Sequence, residues 1–216
     1  MPEEGVSKFD LQFTATPPGV LQARLRELNA WRNILWQLGL IGQDPHRYGG
    51  YGFGNVSQRI APDGAPAQQR VFVISGSQTG VLANLDATHY ATVREYAVAA
   101  NRIMADGPIR PSSESLTHGM IYDLNDRIRT ILHVHSPAIW EHAVRLGIPE
   151  TDRKVPYGTP EMAQETGRLF AESGMRQKGI FSMGGHEDGI ISFGTSVREA
   201  GCILLETLAT SYTLVA

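Results

Sequence analysis

The sequence predicts one α/β domain. Segments with helical spacing and segments of strand type are interleaved along the whole chain. No internal repeat or flexible linker divides them, and 216 residues suit a single domain. Interleaving of this kind places helices against the faces of one sheet.

The elements follow in order. Residues 1–18 read as an extended arm ending in Pro17-Pro18, and residues 19–216 as the domain. Leu21, Leu25, Leu28, Trp31, Leu35 and Leu38 recur at three- and four-residue steps and predict a helix over 20–38, with Gly39 as its stop. A Gly-rich loop over 48–54 leads into a strand at 55–60 and a turn at Ala61-Pro62-Asp63-Gly64. Val71-Phe72-Val73-Ile74 is a buried-type strand, followed by the loop Ser75-Gly76-Ser77-Gln78-Thr79-Gly80. Asp86 can cap a short helix over 89–93. The spacing over 95–104 allows helix or hairpin, and the hairpin turning near Ala100-Asn101 is the preferred reading. Pro111-Ser112-Ser113 opens a helix that runs past Glu114, His118 and Tyr122. A strand over 130–135 precedes a helix at 138–146. Thr159 and Pro160 start a helix that ends at Gly174. Two strands, 180–183 and 190–193, flank a Gly-rich loop, and Ser196 with Glu199 has the capping-box spacing of a last helix.

Composition excludes several classes of function. A net charge of −3 with no run of Lys or Arg argues against nucleic-acid binding. No apolar stretch approaches the roughly 20 residues of a membrane span, and the first ten residues lack the apolar core of a signal peptide. The lone Cys202 lies in an apolar helical pattern and reads as a small buried hydrophobe. The chain cannot form an internal disulfide, which fits the cytoplasm.

Candidate chemistry begins at His133-Val134-His135. On a strand, residues 131, 133 and 135 share one face, so both imidazoles can reach one ion. Zinc favours nitrogen ligands, and a catalytic zinc site takes three protein ligands and leaves a position open. Two unrelated histidines on a half-exposed strand are a slightly more common outcome of this pattern alone. Glu114 and His118 share a helix face, and the loop Gly184-Gly185-His186-Glu187-Asp188-Gly189 can fold tightly around a ligand. Three places suit a phosphate: Gly54-Asn55, the loop at 75–80, and Ser112-Ser113 at a helix start. Each of these also reads as an ordinary turn or cap.

Taken in order, these pieces resemble the class II aldolase/adducin family, whose members include L-fuculose-1-phosphate aldolase. The resemblance runs from about Val20 to the C-terminus. It rests on Gly54-Asn55-Val56-Ser57, the 75–80 loop, Pro111-Ser112-Ser113-Glu114 with His118, His133-Val134-His135, and the Gly-rich loop before Gly189-Ile190-Ile191-Ser192-Phe193-Gly194. It implies a three-layer α/β/α sandwich with a largely antiparallel central sheet, a homotetramer with sites between subunits, and a divalent ion, usually Zn²⁺ (or Mn²⁺, Co²⁺ or Fe²⁺). By the family pattern His133 and His135 are ligands, and Glu114 is the acid/base. By the same pattern Gly54, Asn55, Ser75, Gly76, Ser112 and Ser113 would hold the substrate phosphate.

Two departures stand out. Members usually carry Asn-His-Gly or His-His-Gly where this chain has His186-Glu187-Asp188-Gly189. A third imidazole keeps the usual ligand set and favours His186, with Asp188 as its competitor. Residues 136–155 form a shortened segment without the family's catalytic Tyr, for which Tyr157 or Tyr212 could substitute. The implied reaction is aldol cleavage of a small phosphorylated ketose, or a related hydroxy-carbonyl compound, through a metal-stabilised enediolate. A 4-epimerase or a thio-sugar-phosphate dehydratase on the same scaffold is the alternative. A non-catalytic adducin-like module should have lost the histidines and Glu114.

Overall fold

Side chains that alternate along the central strands sort onto two cores, and the layers follow from that. The computed structural model describes residues 8–214. In chain order the elements are β1 (Asp10–Ala15), α1 (Gln22–Gln37), β2 (Gly42–Gln43), β3 (Gly52–Phe53), β4 (Asn55–Arg59), β5 (Phe72–Ser75), β6 (Tyr90–Ala97) and β7 (Arg102–Gly107). They continue with α2 (Ser115–Leu124), β8 (Thr130–His135), α3 (Pro137–Trp140), α4 (Pro160–Glu172), α5 (Met175–Lys178), β9 (Ile180–Ser182), β10 (Gly189–Gly194) and α6 (Val197–Thr213). Eight strands form one sheet in the order β1-β7-β6-β5-β4-β8-β10-β9. Every neighbouring pair in it is antiparallel except β1 with β7.

Strand β8 shows the sorting. Ile131 joins Leu116, Ile121 and Tyr122 of α2 and Met162 and Leu169 of α4 in one core. Leu132 and Val134 join Leu25, Leu28 and Leu35 of α1 and Leu204 and Leu208 of α6 in the other. All six residues of β8 are buried, as expected of a strand covered on both faces. The result is a three-layer α/β/α sandwich around a mostly antiparallel sheet.

Local chemistry sets the helix starts. Thr159 Oγ1 accepts from Met162 N at 3.3 Å, with Pro160 in the first turn. Ser196 Oγ accepts from Glu199 N at 3.1 Å. The Glu199 carboxylate reaches back one residue further than the capping-box spacing predicts, accepting from Thr195 N at 2.6 Å.

Three expectations need correction. Asp86 caps only a single 3-10 turn over Ala87–His89, and the predicted helix at 89–93 is instead the start of β6, where Thr92 and Val93 pair with β5. Their β-branched side chains suit a pleated sheet better than a helix. The helix expected over 138–146 is one regular turn, α3. Beyond it the chain tightens into three-residue bonds, His142 N to Ile139 O and Ala143 N to Trp140 O. Part of the arm, Asp10–Ala15, is the edge strand β1. The hairpin turns at Asn101, whose φ is 48°, and no helix among the described residues is long and apolar enough to cross a membrane.

Candidate metal centre

The site forms where β8 ends. Register pairs Asn55 of β4 and Ile191 of β10 with His133, and Gly189 of β10 with His135. The turn before β10 then returns His186 over the two strand imidazoles. Its backbone is closed by His186 N to Met183 O at 3.0 Å and Gly189 N to His186 O at 2.9 Å. Ligand-type nitrogens of His133, His135 and His186 all lie within 4.8 Å of one another, and all three residues are buried. Ring centroids are 5.2 Å apart for His133–His135, 5.1 Å for His133–His186 and 4.7 Å for His135–His186.

Burial keeps the strand imidazoles neutral. Loss of solvent, then the neighbouring His186, holds His133 and His135 well below the ordinary histidine range. A neutral ring is the form that offers a lone pair to an ion. The Asn55 amide lies 3.1 Å from His133 Nδ1, and His133 Nε2 has no hydrogen-bond partner among the described residues. A ring that gives Nε2 to an ion keeps its proton on Nδ1 and donates it outward. A half-turn of the Asn55 amide presents Oδ1 to receive it. Three converging buried nitrogens, one of them without a partner, fit a divalent ion of zinc type.

Glu114 stands at the N-cap of α2, 2% exposed, with Oε1 3.8 Å from His186 Nδ1. Asp188 is held elsewhere. Its Oδ2 accepts from the Tyr48 hydroxyl at 2.5 Å and pairs with Arg47 Nη2 at 3.2 Å. Tyr157 stacks on His186, with centroids 4.3 Å apart and planes 22° from parallel, and Lys8 Nζ sits 3.6 Å from the centre of the Tyr157 ring. Tyr212 is exposed on α6 and makes no described contact with the cluster.

A cleft beside the imidazoles is lined by Gly54, Asn55, Gly76, Ser77, Gln78, Thr79, Ser112, Ser113, Glu114 and His133. Its two donor loops are tied together by Ser77 N to Arg110 O at 3.0 Å and Ser77 Oγ to Pro111 O at 2.8 Å. Gly54 has φ +76°, and a Cβ there would meet Ile41 Cγ1 at 2.7 Å, so only glycine fits. Ser75 differs from expectation: its Oγ accepts from Val56 N at 3.1 Å, and it does not line the cleft.

Sequence reasoning missed two supports. Arg32 is buried on α1, donating from Nη2 to Thr79 O at 2.9 Å and from Nη1 to Ala83 O at 2.8 Å. A charge four residues after Leu28 and three before Leu35, inside an apolar stripe, was the available signal. Tyr48 packs edge-on against His135, with centroids 4.4 Å apart, and its phenol is pushed well above its ordinary range by burial and the Asp188 carboxylate. Nothing in the local sequence marks it.

The Class II Aldolase and Adducin N-terminal domain model matches residues 45–213. The chain belongs to this family. Sugar-phosphate aldolase from Thermotoga maritima shares its fold at 17% identity, covering 89% of this chain and 94% of that one, with a TM-score of 0.65. L-fuculose-1-phosphate aldolase from Thermus thermophilus does so at 18% identity, 89% and 93% coverage and a TM-score of 0.60. YgbL from Escherichia coli, described with aldolase, epimerase and decarboxylase as candidate activities, gives 20% identity, 90% and 89% coverage and a TM-score of 0.63. A comparison with curated protein sequences finds no match.

Proposed function

We propose that this class II aldolase-family chain is a metal-dependent lyase that cleaves a carbon–carbon bond in a small phosphorylated hydroxy-carbonyl compound. The observation that carries the reading is the buried triad of His133, His135 and His186 with the Glu114 carboxylate 3.8 Å from His186. These three imidazoles would hold a divalent ion, zinc by the all-nitrogen donor set. Bound there, the ion would supply Lewis-acid polarisation of the substrate's carbonyl and adjacent hydroxyl oxygens.

Glu114 is the proton carrier, because it is the buried carboxylate at the junction of cleft and triad. Gly54, Gly76, Ser112 and Ser113 line the cleft and would hold the phosphate through backbone N–H and hydroxyl donors. Ser77 and Thr79 lie among them. Asn55 orients His133 in addition to facing that cleft. Remote binding of the phosphate positions the reacting carbon against Glu114. The same reading makes the working unit a homotetramer, in which exposed Leu38, Val81 and Leu82 would be covered.

Elemental analysis of the purified protein beside His133→Ala/His135→Ala tests the site. About one divalent ion per chain, lost in the variant, is expected for a three-imidazole site. Glu114→Gln should keep the ion and lose at least about 100-fold in cleavage of phosphorylated ketoses. A wild-type protein that takes up no added Zn²⁺ would overturn the reading.

A further inference from the structure

His135 carries an outer support formed by residues outside the triad, one of which, Phe53, also lines the cleft. The Tyr48 ring stands edge-on to it at 4.4 Å, and Phe53 lies 5.0 Å from Tyr48 and 5.3 Å from His135. Tyr48 adopts φ 51°, a left-handed backbone that a bulky residue keeps only when its surroundings enforce it. What enforces it is at the other end of the side chain. The phenol donates to Asp188 Oδ2 at 2.5 Å, and Arg47 Nη2 reaches both that carboxylate, at 3.2 Å, and the Tyr48 hydroxyl.

Asp188 is itself fixed. It is 8% exposed and also left-handed, with φ 61°, and its carbonyl accepts from Ser136 N at 2.8 Å, next to the end of β8. One carboxylate oxygen therefore receives two donors, the Tyr48 hydroxyl and an Arg47 guanidinium N–H. These donors hold that oxygen toward Tyr48 and Arg47, although Asp188 lies only two residues from His186.

We infer that Asp188, Tyr48 and Arg47 form a positioning cluster for the metal centre, locking the His135 ring and joining the loop that carries His186 to the loop that runs into Gly54. The inference rests on the metal-dependent reading above. Tyr48 acts through His135 and is a positioning residue. Its hydroxyl fixes where the ring stands, and the ring fixes the imidazole. Outer partners of this kind commonly tune metal affinity, although here the contact is ring to ring, with the hydrogen bond one step further out. The cluster also gives Asp188 a role, in a stretch where this sequence departs from its family.

The decisive variant is Tyr48→Phe, which keeps the ring and removes the hydroxyl. Co²⁺ and Zn²⁺ dissociation constants, by chelator competition, and the visible spectrum of the Co²⁺-loaded protein would be compared with wild type. Tyr48→Phe and Asp188→Asn should each weaken binding about tenfold and alter the Co²⁺ bands. Unchanged affinity and spectrum in Tyr48→Phe would overturn the inference while leaving the proposed function standing. Tighter binding in Tyr48→Phe with abolished binding in Asp188→Asn would overturn it too, by making Asp188 a ligand. If wild type takes up neither ion, the proposed function fails first, and the inference with it.

Discussion

Single side chains here act mostly by what they hold in place. Arg32 gives its donors to carbonyls of the loop over 79–83, so the guanidinium is built into the wall behind the cleft. Arg32→Met should destabilise the protein by about 1–3 kcal/mol, because those buried carbonyls lose their partners; denaturant unfolding measures it. The same loop lines the cleft, so KM for a phosphorylated substrate should rise more than kcat falls. His118 is a second case. Fully buried and bonded through Nδ1 to Ser57 Oγ at 2.7 Å, it is pushed down to about 3 by loss of solvent. Its folded value lies below the unfolded one of about 6.5, so the unfolded chain takes up the proton first. Stability from this group is whole above about pH 6.5 and drains away as pH falls toward 3. Melting temperature of the metal-free protein, followed from neutral pH downward, should drop less steeply in His118→Asn than in wild type.

Elements show what the sequence could and could not reveal. The strand with His133 and His135 was legible because alternation and burial on a strand are local properties, and so were the caps at Thr159 and Ser196. The helix expected at 89–93 failed because Thr92 and Val93 answer to β5 across the sheet, which no local window contains. Tyr48 and Arg47 were invisible for the same reason, since their partner Asp188 lies 140 and 141 residues away. Glycines in the loop over 184–189 read, from sequence, as freedom to bend, and the structure makes them a packing need. A Cβ on Gly185 would stand 1.8 Å from Val155 O. Gly185→Ala must therefore push the loop off the 150–155 segment. It should cost about 1–3 kcal/mol and lower Zn²⁺ uptake by displacing His186, to be read by calorimetry and by elemental analysis.

At the scale of the molecule, the sheet sets a fixed frame and the site lies at one end of its middle strands. β8 sits between β4 and β10, so the triad assembles only when segments far apart in sequence have paired. The far edge is different in kind. β1 lies parallel to β7, in register from Asp10 with Arg102 to Ala15 with Gly107. Deleting residues 1–16 should lower the melting temperature and leave β7 as a bare edge, which invites strand pairing between molecules. Light scattering on warming would show earlier association than in the full chain, whereas an unchanged profile would mean that β1 is dispensable.

That parallel pairing also sets an order of events during synthesis. β6 and β7 are neighbours in the chain and can zip together as soon as both have emerged. β1, made long before β7, lacks its partner strand in the sheet until residue 107 is out. Its closure spans a long loop, which is slow and entropically unfavourable compared with the hairpin. A strand made well before its partner is thus a late arrival in the sheet, and a nascent chain paused before β7 would carry it as an unclaimed strand.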